Sequence, residues 1–306
     1  MHDAIQPARR NLVFARVGRG SLHNKWAGPA PKDRSWDIQL STYLDDISAF
    51  TEGDFPVYID KGTKWDSIVR YFQKNPELLD RYDHIFFPDD DLDMVAAGVE
   101  TIFAICGKYD LYIAQPALTP KSYYWHPILL RCAPFQIRYI NYVEPMGPCI
   151  KSSYLRDIMP VIEKNFTGWG IDNIWTQLMD EPVGKAAIID SVAVTHTRPF
   201  ETGAIYDAFK EMKIDPHQQR RNILKDFQAG IVGMVVYGGV LKTGWRVNGI
   251  AARIISGLYM LSTIPFVRNK QGSVRVAIGS FVRAFTLAKY RPQHITVPNL
   301  EKPVEA

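Results

Sequence analysis

The chain has 306 residues, 46% hydrophobic and 12% aromatic, enough apolar material for one large or two smaller domains and too much for an unfolded chain. Cys106, Cys132 and Cys149 are odd in number and lack CxxC spacing, which argues against a disulfide framework or a structural zinc site and suits a reducing cytoplasm. The net charge of +4 is unevenly divided, with 21 basic and 26 acidic side chains up to Tyr206 and 15 and 6 from Asp207 onward; no nucleic-acid recognition motif accompanies the basic part.

From the amino end, the apolar run 12–15 is cut by Arg16 and is too short for a signal peptide. β-rich runs at 11–17, 55–59, 84–87, 111–114, 136–140 and 186–194 alternate with helical patterns, most clearly at 65–72 and 93–106. This alternation predicts an α/β sheet, whose ligands sit beyond the carboxyl ends of its strands. The first run passes into Arg16-Val17-Gly18-Arg19-Gly20, a glycine-rich turn that is not GxGxxG. Lys61 and Lys64 lie at the start of the first helix, where ammonium groups and the helix N-terminus suit an anion; Lys64 is the better candidate, against the plain alternative of a surface lysine.

Next comes Tyr82-Asp83-His84-Ile85-Phe86-Phe87-Pro88-Asp89-Asp90-Asp91-Leu92-Asp93-Met94, with four carboxylates in five residues directly after an apolar run. Such repulsion needs water or a cation to offset it, and hard divalent ions take these oxygen ligands. Asp89, Asp91, Asp93 and Glu100 match positions one, three, five and twelve of a calcium loop, but Met94 stands where that loop needs glycine. An EF-hand is therefore rejected, while capping of a following helix remains an ordinary role for one or two of the four.

Pro199 and Gly203 mark a boundary, giving a domain over 1–203 and a basic, amphipathic helical region over 204–306. Within the latter, 244–267 is apolar, but Arg246, Arg253 and Pro265 interrupt a spanning helix. Two readings stay open: an element lying on an anionic bilayer, rimmed by Trp245 and Tyr259, or a helical subdomain packed on the core.

The Phe-Phe-Pro-Asp-Asp-Asp segment resembles the Asp-x-Asp element of glycosyltransferases of the GT-A fold. That resemblance implies Mn²⁺ or Mg²⁺ held by Asp91 with Asp89, donor contacts from Asp89 and Asp90, and support from Asp93. Gly168-Trp169-Gly170-Ile171-Asp172 is similar to the Trp-Gly-x-Asp/Glu segment of inverting members, implying a sugar subsite at Gly168, Trp169 and Gly170 and a catalytic base in Asp172. The local alternative for Asp172 is an N-cap of a helix beginning near Asn173. His196, at the end of a predicted strand, would be a further metal ligand, and Arg198 would face a diphosphate. Arg16 and Gly18 would hold the nucleotide; Ser122-Tyr123-Tyr124-Trp125-His126, with Trp125, offers rings on which an acceptor sugar could stack, the alternative being rings that belong to the core.

Taken together with Lys61-Gly62-Thr63-Lys64-Trp65, Ala114-Gln115-Pro116-Ala117-Leu118, Val143-Glu144-Pro145-Met146 and Val194-Thr195-His196, these segments resemble the domain of unknown function 707 family over about 11–203. The resemblance implies a GT-A-like mixed sheet flanked by helices, with a basic C-terminal helical extension. It further implies a metal-dependent transferase moving a sugar from a nucleotide-sugar donor to a glycan or lipid-linked acceptor, as in surface polysaccharide synthesis. Such an enzyme would work in the cytoplasm, with its C-terminal region on the inner face of the membrane. Alternatives are a metal-dependent nucleotidyltransferase or phosphodiesterase, or a non-catalytic peripheral membrane or polysaccharide-binding protein.

Overall fold

Strand β1 (Asn11–Arg16) is buried on both faces because Leu12 and Phe14 point to one side and Val13 and Ala15 to the other, and each side has its own apolar cluster. The structure, a computed structural model, describes residues 9–165, 167–227 and 233–295. After β1 come β2 (Trp36–Thr42), β3 (Tyr58–Ile59), α1 (Lys64–Lys74), α2 (Leu78–Arg81), β4 (His84–Phe86), β5 (Leu92–Asp93) and α3 (Ala96–Tyr109). Then follow β6 (Ile113–Leu118), β7 (Phe135–Ile140), β8 (Cys149–Lys151), α4 (Ser152–Glu163) and β9 (Ala186–His196). The C-terminal part holds α5 (Ala204–Glu211), α6 (Pro216–Asp226), β10 (Val236–Leu241), β11 (Arg246–Asn248), α7 (Gly249–Thr263) and α8 (Lys270–Thr286).

One mixed sheet runs β11-β10-β7-β9-β6-β8-β4-β1-β2-β3, with β5 pairing β9 off this path. Because β8 is antiparallel to both β4 and β6, the strands β1, β2, β3, β4, β6 and β9 all point the same way. Their carboxyl ends therefore open on one edge of the sheet. Helices α1, α2 and α4 cover one face and α3 the other. α1 starts where expected because Thr63 and Asp66 form a capping box, and Trp65, Ile68, Val69 and Phe72 supply its buried face.

The expected fold class is what the structure builds, with several local differences. The strand expected at 55–59 narrows to Tyr58–Ile59, since Pro56 has no N–H to give a ladder. The helix expected at 93–106 begins at Ala96, because Asp93 pairs with Thr195 in the β5–β9 ladder. The strand expected at 111–114 lies at Ile113–Leu118. β2 escaped sequence reading because its alternate residues Asp37, Gln39 and Ser41 are polar yet buried, each with a specific partner: Arg9 and Tyr82 for Asp37, Tyr71 for Gln39, Arg16 for Ser41. The region after 203 is not only helical, since β10 and β11 extend the sheet beside β7.

Candidate functional site

The acidic loop follows β4 at the open edge of the sheet. It is fastened there by Asp89 N–H donating to the Met146 carbonyl (2.7 Å), Leu22 N–H to the Asp90 carbonyl (2.6 Å) and Thr197 Oγ1 to the Asp91 carbonyl (2.8 Å). The β5–β9 ladder, with Leu92 opposite His196, then draws the end of β9 alongside.

Each of the four carboxylates meets a different cation. Lys64 Nζ is 2.6 Å from Asp89 Oδ1, Arg198 Nη1 is 2.7 Å from Asp90 Oδ1, His196 Nε2 is 3.1 Å from Asp91 Oδ2, and Lys25 Nζ is 2.9 Å from Asp93 Oδ2. This pairing is how the chain tolerates so much negative charge at one place. Only the Lys25–Asp93 pair is widely exposed. Asp90 also accepts from Gly18 N–H (3.0 Å), and a side chain at Gly18 would press on the Tyr43 hydroxyl.

His196 donates through Nδ1 to the Tyr123 carbonyl (2.9 Å), which leaves Nε2 facing Asp91. Burial disfavours its charge, but the hydrogen bond and charge of Asp91, with Asp89 beyond, raise the imidazole to about 9. Asp91 moves the opposite way: burial opposes ionisation, and His196 more than offsets it, so its carboxyl falls below the usual range.

Segment 141–148, joining β7 to β8, runs along the sheet and brings a second group of acids to the same edge. Glu144 is 5% exposed, its N–H donates to Gln115 Oε1 (2.6 Å), and its Oε2 has no hydrogen-bond partner among the described residues. Burial, with the nearby charge of Asp172, raises this carboxyl to about 8; Asp89 and His196 also act on it. Asp172 accepts from the Tyr142 hydroxyl (2.6 Å) and from the Asn173 amide, while burial raises its carboxyl. It lies inside a 3-10 turn, Ile171–Asn173, whose cap residue is Gly170, so Asp172 is not an N-cap.

Gly168 (φ +78°) and Gly170 (φ +94°) take left-handed backbone, and side chains there would run into Trp65 and into Arg220 of α6. They let the Trp169 segment pass between α1 and α6, with the half-buried Trp169 ring edge-on to His217 at 4.7 Å. Trp125, 53% exposed, packs 5.1 Å from Phe200, whose ring is 5.0 Å from that of His196. An aromatic row thus leads from solvent to the Asp91–His196 pair.

Two expected anion contacts are otherwise engaged. Lys64 Nζ is occupied by Asp89 and by the carbonyls of Phe87 (2.7 Å) and Pro145 (2.9 Å), using its three N–H bonds inside the fold. Arg16 spans Ser41 and the carbonyls of Asp60 and Gly62, bracing the loop before α1. Sequence reading missed Glu144, Tyr142 and Arg220. Glu144 stands in the Val143-Glu144-Pro145-Met146 segment, where nothing local marks it as buried. Arg220, on α6, reaches Asn173 Oδ1 (3.3 Å) and acts on the charge of Asp172. A cleft of about 540 Å³ between Pro29, Pro31 and the start of α3 is lined by Lys25, the partner of Asp93, but by none of Asp89, Asp91, Glu144, Asp172 or His196.

Among the described residues no group of three or more His, Cys, Asp or Glu side chains is arranged to hold a metal ion. In the acidic loop, Asp91 faces His196 directly. A hard divalent ion bound through one or two protein ligands completes its shell with water and substrate phosphates. The anchored Nδ1 of His196, with Nε2 and the Asp91 carboxylate facing each other, fits such an ion.

What the fold and site define is an α/β protein with a carboxylate-rich cluster at the carboxyl ends of its parallel strands. Residues 44–139 match the model of a family described as a protein of unknown function (DUF707), within the span where the resemblance was expected. Crystal structures of S. aureus TarS are similar at 10% identity. For TarS 1-349 in complex with UDP-GlcNAc the TM-score is 0.44, with 90% of this chain and 81% of that chain covered. For TarS 1-349 alone these values are 0.42, 90% and 80%. No curated protein matches the sequence.

Proposed function

We propose that the protein is a glycosyltransferase that binds a nucleotide-sugar donor at the edge where β1, β4, β6 and β9 end. The reading rests above all on one observation: Asp91, in the loop after β4, and His196, at the end of β9, meet at 3.1 Å in a partly buried part of the sheet's open edge, with the charges of Asp89, Glu144 and Asp172 nearby. Asp91 and His196 would hold Mn²⁺ or Mg²⁺. When bound, that ion neutralises charge on the donor diphosphate.

The remaining work falls to side chains. Arg198, 40% exposed beside Asp90, has the planar fork that suits a phosphate oxygen. Trp169 and Trp125 offer ring faces to sugars. Burial raises the Asp172 carboxyl, while Tyr142, Asn173 and Arg220 favour its ionised form; as the base it would accept the proton of the acceptor hydroxyl. Glu144, without such donors, holds its proton at neutral pH. Together these groups orient the reactants and keep water from the reacting centre.

Isothermal titration of the purified protein with UDP, GDP, ADP, CDP and dTDP in the presence of Mn²⁺ tests the reading. At least one should bind, and Asp91→Asn should weaken that binding at least tenfold. Failure of all five to bind folded protein would overturn the proposal. Release of pyrophosphate rather than nucleoside diphosphate during turnover would assign the site to nucleotidyl transfer instead.

A further inference from the structure

Helix α8 is built inside out. The face it buries carries Ser273, Ala277, Ser280 and Ala284, whereas Ile278, Val282 and Phe285 stand 55%, 55% and 74% exposed. At helical spacing these three form a single stripe, and Arg275 falls on the same stripe at its beginning. Helix α7 repeats the inversion: Ala252, Ser256 and Gly257 are buried, and Leu258 and Leu261 are 58% and 39% exposed. Small residues permit the close packing of the two helices, for a side chain at Gly257 would strike Phe281 and the Ala277 carbonyl. Large apolar side chains are thus left outside although a buried face was available. Phe266, at the turn between the helices, is 72% exposed, and Trp245, in the turn before β11, 76%.

The chain that builds this surface carries charge of one sign. Between Phe227 and Leu300 there is no Asp or Glu, while nine Lys and Arg occur. A second copy docking face to face would set these cations against their own kind, whereas anionic headgroups complement them and the bilayer interior takes the apolar stripe. The stretch Gly249–Phe266 has the length and composition of a membrane-crossing helix. Arg253 ties it down instead: its buried guanidinium donates to the carbonyls of Val236 in β10 (3.0 Å) and Leu287 after α8 (2.9 Å). The element would lie on a membrane rather than cross it.

We infer that the outer faces of α7 and α8, with Phe266 between them, dock this protein on an anionic lipid bilayer. The docked surface joins the catalytic edge directly. Arg268, at the turn between the helices, donates to the Lys121 carbonyl (2.6 Å) and lies over the Tyr123 ring at 4.1 Å, and the Tyr123 carbonyl is the one that anchors His196. Docking would therefore set the crevice beside the headgroup layer.

Flotation with large unilamellar vesicles tests this. The protein should float with vesicles of three parts phosphatidylcholine to one part phosphatidylglycerol, at least tenfold more than with phosphatidylcholine alone. Ile278→Asp/Phe285→Asp, whose sites are exposed and whose circular dichroism and melting temperature should match the parent, should reduce flotation at least tenfold. Absent flotation of the parent, or equal flotation of the variant, overturns the inference. So does a solution dimer, seen by light scattering, that the double variant dissociates, since the face would then belong to a second copy. Deleting 244–306 is the wrong test, because it removes β11 and the helices packed on β10.

Discussion

Replacing Glu144 by Gln should stabilise the protein, and increasingly so as pH rises. The Glu144 carboxyl is raised from 4.5 to about 8 by burial and by the charge of Asp172, and its Oε2 has no hydrogen-bond partner among the described residues. An acid that holds its proton more tightly when folded adds stability that is greatest below pH 4.5 and is lost as pH climbs to 8. At 1.36 kcal/mol per pH unit the whole window amounts to ~5 kcal/mol; hydration of the ionised site lowers the expected loss to ~2–5 kcal/mol. His196 adds a loss of the same sign. Burial opposes its charge but Asp91 raises it from 6.5 to about 9, so its contribution disappears between those values in parent and variant alike. The difference between the two proteins therefore reports Glu144 together with the charge interactions it makes with Asp172 and His196. Urea unfolding at half-unit steps from pH 4.5 to 8.5, with chelator present, should show a gap that widens by ~2–5 kcal/mol in favour of Gln. Parallel stability curves would refute the reasoning, because they would mean that Glu144 ionises freely in the folded state.

Two further substitutions probe the frame around the crevice. Gly168→Ala combines a left-handed backbone with a clash against the Trp65 ring, and should cost ~2–4 kcal/mol by urea unfolding; an unchanged midpoint would show that the turn adjusts freely. Asp190→Ala strands Arg138, whose Nε and Nη2 lie 2.7 and 2.9 Å from that carboxylate with both side chains at most 1% exposed. The loss should be ~3–5 kcal/mol, and a change below 1 kcal/mol, measured by the same unfolding, would mean that the carbonyls of Ile128 and Leu130 are sufficient partners for the guanidinium.

Much of this protein is legible where the signal is local. The apolar run of β1, the capping box and buried face of α1, and the acidic loop directly after β4 depend on residues within a few positions of one another, so alternation, helical spacing and cap chemistry reveal them. Even the left-handed glycines at 168 and 170 announce themselves by type. What only folding decides is the meeting of distant parts. Asp91 and His196 come together because two residues of β5 pair with the last two of β9, and the cation for each Asp arrives from a different element. Glu144 reads as an ordinary acid until the climb of 141–148 across the sheet deprives it of water, and the apolar stripe of α8 reads as core until packing turns the opposite face inward. Periodicity and capping act over three or four residues, whereas desolvation and ion pairing depend on which surfaces meet, and a linear pattern does not contain that information.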